Sequence, residues 1–210
     1  CRSVLDVGAG TGRSLSWLKG AGVGGKVVGV EPVAELRSRG HEKGLDETEL
    51  IDGDATRLAF ADGEFDVVCC FGVLHHIPNP DRAVREMLRV ASRMVFISDA
   101  NNFGQGTWLT RTTKQLAKAL GLWPLLNRIK TRGRGYTISD DDGLAYSYSV
   151  FNDYQAIRSA CSTVHLFNTT DSACVNPYRG ASHLAVAGVK TLDAVDAIDA
   201  SRKPNPGNPT

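Results

Sequence analysis

The stretch Val4-Leu5-Asp6-Val7-Gly8-Ala9-Gly10-Thr11-Gly12 constrains the fold of this chain more than any other. Its apolar run reads as a buried parallel strand, and the glycine-rich turn after it leads into a helical pattern around Leu15, Trp17 and Leu18. Gly8 and Gly10 let the backbone turn sharply and approach a ligand where a Cβ would clash. Spacing narrows the choice of ligand. A dinucleotide fingerprint, G-x-G-x-x-G, needs its last glycine at position 13, and that residue is Arg13. The pattern here is G-x-G-x-G, which disfavours a nicotinamide-dependent oxidoreductase.

A second strand, Lys26–Val30, ends on Glu31 and Pro32. That acid stands about twenty residues beyond the glycines, where doubly wound folds place a carboxylate for ribose hydroxyls. An ordinary acid at a helix start is the alternative. Pro32 suits the first turn of a helix over residues 33–39. A third strand over residues 50–53 runs into Asp54 and Ala55, and a fourth over 65–70 runs into Phe71-Gly72-Val73-Leu74-His75-His76-Ile77-Pro78. Asn79, Pro80 and Asp81 then open a helix, with Asn79 as its cap. Ala83, Val84, Met87, Leu88 and Ala91 keep one apolar face on it, and residues 93–98 form a fifth strand.

These motifs, taken in order from residue 4 to 99, resemble the class I S-adenosylmethionine (SAM)-dependent methyltransferases. The run FDVVCCFGVLHHIPNP is similar to the methyltransferase-11 group, which acts on diverse small molecules. The resemblance implies an α/β domain with a Rossmann-like, doubly wound, seven-stranded sheet and SAM as cofactor. It implies Asp6, Gly8, Ala9 and Gly10 on the methionine side, and Glu31 on the ribose. Asp54 and the amide of Ala55 would receive the adenine, with Asp52 the fallback for the carboxylate. Phe71 and the residues after it would line the methionine end and the mouth of the acceptor pocket. The Asn/Asp-Pro-Pro-aromatic motif of amino methyltransferases acting on bases is missing from this segment. That points away from a DNA adenine or a glutamine amide and toward a small-molecule oxygen, nitrogen or carbon acceptor.

His75 and His76 invite a metal reading, but no further ligands at metal-site spacing accompany them. Either imidazole could act as a general base near neutral pH. Alternatively, one packs against a backbone carbonyl while the other borders the cofactor. The family carries one or two helices before the first strand, whereas here Arg2 and Ser3 lead straight into it. That motivates a competing reading, a non-catalytic SAM-binding module or one part of a larger enzyme.

A net charge of +1 gives no electrostatic footprint for nucleic acid. No segment reaches the roughly twenty apolar residues of a membrane span, so no membrane partner is expected. The five cysteines show no disulfide framework, which suits reduced thiols and a cytoplasmic setting.

Residues 100–150 change in composition and read as an acceptor lid inserted after the fifth strand, within a domain covering residues 1–190. Trp108, Leu109, Leu116, Ala117 and Leu120 suggest an amphipathic helix ended by Gly121, and a shorter helical piece follows over 124–129. Arg132, Arg134 and Tyr136 lie in a basic, glycine-punctuated run. They read as a clamp for an anionic small-molecule acceptor, or else as a solvated loop. A last large helix over 151–160 and two strands, 163–167 and 182–187, complete the pattern, with the strands antiparallel at one sheet edge. Turn chemistry marks 176–180, and residues 191–210 read as a disordered tail.

Overall fold

The computed structural model describes residues 1–23, 25–140, 143–170 and 176–191. The tail expectation and Cys174 therefore fall outside the described residues, apart from residue 191. The chain alternates strands and helices: β1 (Ser3–Val7), α1 (Arg13–Gly20), β2 (Lys26–Val30), α2 (Ala34–Glu42), β3 (Leu50–Ile51), β4 (Phe65–Phe71), α3 (Pro80–Val90) and β5 (Ala91–Ala100). A seven-stranded sheet forms in the order β3-β2-β1-β4-β5, completed by β9 (His183–Val189) and β8 (Thr163–Asn168). The first five strands pair parallel, and β9 runs antiparallel to both β5 and β8. The expected doubly wound sheet with an antiparallel edge is what forms.

The chain steps outward from β1 to β2 and β3, then returns to lay β4 on the other side of β1. The order reverses at that point, and a crevice opens beyond the carboxyl ends of the two strands. Period-two burial builds both faces of the sheet. Val28 and Val30 enter a large core with Leu5, Phe65 and Met87, while Val27 joins a smaller one with Leu15, Leu45 and Leu50. Helix α3 buries Ala83, Val84, Met87 and Leu88 as its periodicity requires. Asn79 precedes it, but its side chain makes no capping hydrogen bond, so Pro80 in the first turn defines the start.

The lid follows β5. It holds α4 (Trp108–Ala119), α5 (Trp123–Lys130) and a hairpin of β6 (Tyr136–Ser139) with β7 (Gly143–Tyr146). The hairpin is the main departure from the sequence reading, which placed a basic loop there. At its base the lid is clasped by Asn101, which is fully buried. The Asn101 side-chain amide donates to the carbonyls of Tyr178 and Ala181 at 3.0 and 2.9 Å, and its oxygen accepts from the Ser149 hydroxyl at 2.8 Å. Helix α6 (Tyr154–Ala160) leads back to β8, and a short α7 (Pro177–Gly180), capped by Asn176, precedes β9.

Candidate functional site

The glycine turn sits at the crevice. Gly8 and Gly10 have φ of 76° and 57°, in the left-handed region that glycine adopts without strain. The amides of Gly8 and Ala9 donate to the Val30 carbonyl at 2.8 and 3.0 Å, pinning the turn to the end of β2. The Gly10 amide donates to the Glu31 carboxylate at 2.9 Å, and the other carboxylate oxygen accepts from the Val33 amide at 3.0 Å. An anion-binding turn needs such an amide for its phosphate. Here a protein carboxylate occupies it, which supplies a physical reason against a dinucleotide. Glu31 thus serves the helix start and the cavity wall together.

Two adjoining cavities flank this turn. One, of about 490 Å³, is lined by Glu31 and Asp54 together with Gly10, Val33, Leu36 and Ile77. Ala55 lies on the same wall. Asp54 accepts from the Thr56 amide at 2.8 Å and keeps further acceptor capacity. Asp52, the fallback, is not on this wall and pairs with Arg37 at 2.8 Å. The other cavity, of about 450 Å³, is lined by Asp6, Ala9, Arg13, Ser14 and Trp17. Gly8 and Phe71 line both. Asp6 is buried and its carboxyl is pushed up to about 6 by that burial, against the opposing pull of the Ser14 hydroxyl and the Cys69 thiol. The Glu31 charge adds a smaller rise. Trp17, read from sequence only as part of a helical pattern, is instead exposed on this wall.

A third cavity, of about 510 Å³, opens between the end of β5 and the lid, and it shares Gly72 with the first. His75 lines it, with Nδ1 2.6 Å from Asp99 Oδ1. Asp99 is fully buried; its other oxygen accepts from the Leu74 amide at 2.8 Å, fixing the carboxylate against the turn that carries His75. His76 lies on the first cavity instead, with Nδ1 2.6 Å from the Leu144 carbonyl of the hairpin. His183, also absent from the sequence reading, lines the third cavity. Burial pushes its imidazole down in pKa, and Asp99 opposes that shift.

Of the three expected clamp residues, Tyr136 lines the third cavity. Arg132 and Arg134 do not, and both are exposed. Arg132 adopts φ 52°, and the Thr131 hydroxyl accepts from the Gly135 amide at 2.9 Å, a tight turn that leaves both guanidinium groups at the surface. Lys130, one residue before that turn, takes the place on the cavity wall.

Comparison with known proteins agrees with this architecture. Residues 5–95 match the family model described as a methyltransferase domain. Methyltransferase GfsG of Streptomyces halstedii is 37% identical over 91 residues, covering 41% of this chain and 33% of that protein. The ubiquinone biosynthesis O-methyltransferase of Escherichia fergusonii is 31% identical over 112 residues, covering 51% of this chain and 46% of that protein. A putative SAM-dependent methyltransferase structure from Listeria monocytogenes superposes with a TM-score of 0.61 at 14% identity, covering 91% of this chain and 92% of that one. Residues 5–95 are thus similar in sequence to a methyltransferase domain, and the sheet around them has the fold of the solved SAM-dependent methyltransferases. SAM is the cofactor the class takes. The chain spans a third to a half of the length of these curated relatives.

Proposed function

We propose that this protein transfers a methyl group from SAM to a small organic acceptor, with His75 as the proton acceptor. The His75–Asp99 pair carries this reading, because it stands where the cofactor side and the lid cavity meet at Gly72. The joined first and second cavities suit the cofactor chemically: carboxylates at Glu31, Asp54 and Asp6 are acceptors for hydroxyls, an amine and an ammonium. Val33, Leu36 and Ile77 offer apolar surface to a ring. When bound, SAM supplies an electrophilic methyl on a sulfonium.

The chain's own work is alignment, water exclusion and proton removal. Glu31 orients the ribose, Asp54 and the Ala55 amide hold the adenine, and Asp6, Gly8, Ala9 and Gly10 hold the amino-acid end. Phe71, on the wall of both cofactor cavities, screens the methyl. Asp99 orients the His75 ring through Nδ1, and the imidazole takes the acceptor's proton as the acceptor's heavy atom attacks. Tyr136 keeps its expected place in the clamp for an anionic acceptor, and Lys130 supplies the cation in place of Arg132 and Arg134. His76, tied to the hairpin, braces the lid over the cofactor.

The test is turnover of labelled SAM with a metabolite extract. His75→Ala should lower kcat by about 10²–10⁴-fold with SAM affinity kept. Asp99→Asn should shift the pH profile as well. Tight SAM binding without labelled product from any extract would instead favour the non-catalytic module.

A further inference from the structure

Helix α4 turns its polar side chains toward the protein and its leucines outward. Lys114 donates to the carbonyls of Asn102 and Gln105, the latter at 2.9 Å. Gln115 donates to the Phe103 carbonyl at 3.0 Å, and the Lys118 ammonium lies 4.3 Å from the centre of the Phe103 ring. On the other side Leu109, Leu116 and Leu120 recur at helical spacing and are 58–63% exposed. Helix α5 buries no residue at all, and Leu125, Leu126 and Ile129 are exposed along it. A surface helix of a globular protein has the opposite arrangement.

Charge decides what covers this face. Residues 101–139 hold seven lysines and arginines and no acid, in a chain whose net charge is only +1. Among the described residues none of the seven pairs with a carboxylate. Arg111 keeps a buried Nε with no hydrogen-bond partner, in a recess of about 130 Å³ beside Trp108 and Arg179. Lys114 is pushed down in pKa by burial and further by Lys130 and Arg111, so the cations crowd one another. A second copy of the chain would set this charge against itself, which is repulsive. A surface of anionic phospholipid satisfies both demands, with acyl chains for the leucines and a phosphate for Arg111 and Arg179 at their flank, while Lys114 and Lys118 face the protein.

We infer that α4 and α5 dock on an anionic phospholipid surface, with Arg111 and Arg179 receiving a headgroup phosphate beside Trp108. The helices lie on the bilayer; no helix of the described residues is long and apolar enough to cross one. The expected absence of a membrane partner rested on spanning segments alone, and this mode needs none.

Sedimentation of the 210-residue chain with vesicles tests the inference. Vesicles of phosphatidylcholine mixed with phosphatidylglycerol should bind it about tenfold more tightly than phosphatidylcholine alone, and salt should weaken the binding. Leu116→Asp with Ile129→Asp should cost about tenfold or more of that binding. Arg111→Gln with Arg179→Gln should remove most of the preference for phosphatidylglycerol. Both double variants should keep the circular dichroism spectrum and SAM affinity, which reports that they fold. Equal binding to the two vesicle types, binding indifferent to the variants, or no vesicle binding would each overturn the inference. A dimer by light scattering that Leu116→Asp dissociates would assign the face to self-association instead.

Discussion

Asp6 is a carboxyl held inside the protein against the preference of its charge, and Asp6→Asn isolates what that costs. The rise from 3.8 to about 6 corresponds to about 3 kcal/mol of folding free energy forgone at neutral pH. Asparagine escapes this penalty but weakens the bond from the Ser14 hydroxyl and brings an amide that needs an acceptor. Each of those effects costs about 1 kcal/mol, leaving a net gain of about 1 kcal/mol. For a chain of this size that raises the melting temperature by about 2–4 °C. A carboxyl whose pKa is higher in the fold than in the unfolded chain binds its proton more tightly when folded. Its stabilising contribution is therefore fully present below about pH 4 and is lost as the pH rises through about 6. The advantage of the variant should accordingly be large at about pH 7.5 and small at about pH 5. Scanning calorimetry of the ligand-free protein at the two pH values measures it. A SAM titration at neutral pH should show the same variant binding more than about tenfold more weakly, through loss of a charge-assisted contact. A melting-temperature difference that is equal at both pH values, or a variant less stable at neutral pH, would refute the reasoning.

Asp54→Asn should weaken SAM about tenfold by calorimetry, while Asp52→Asn, off the cavity wall, should leave the affinity unchanged. Tyr148→Phe removes the hydroxyl that donates to Asp153 at 2.8 Å between two buried side chains, and should cost about 2 kcal/mol in denaturant unfolding. Burial already raises the Asp153 pKa, against the opposing pull of that hydroxyl, so the loss should be greater at neutral than at acid pH. Gly104→Ala would drive a Cβ into the Ala181 carbonyl oxygen, a backbone atom that cannot swing aside. Its melting temperature should fall by the equivalent of about 2 kcal/mol or more.

The first half of the chain was legible because local signals and the global fold agree there. Strand β2 lies at its expected bounds, and the glycine turn, Glu31 and Asp54 meet at one cavity as the resemblance implied. Strand β5 was read short, and with its end went Asp99. A signal did exist: Val95, Ile97 and Asp99 continue one buried period-two series, and an acid in a buried register is costly enough to indicate a function. The lid was harder to read. Its helices were visible, but which face of α4 met the protein was not, since the amphipathic pattern there is inverted. The hairpin escaped because glycines and arginines beside Tyr136 masked a short run whose pairing comes from β7. Arg132 and Arg134 could not be separated from Lys130 by composition; a positive φ at Arg132 decides which cations reach the cavity.

The clasp at Asn101 gives the lid a common doorway. Asn101 and Ser149 are bonded although they stand 48 positions apart, so everything between them leaves and rejoins the body of the domain at one point beside the end of β5. Changing the length of such a closed excursion alters its closure entropy only slowly. With the acceptor site on this excursion, as proposed, acceptor preference can drift by replacing it wholesale, while β1 to β5 and the cofactor crevice stay as they are. A lid from another chain, grafted between positions 101 and 149 with the asparagine and serine retained, would carry its selectivity with it.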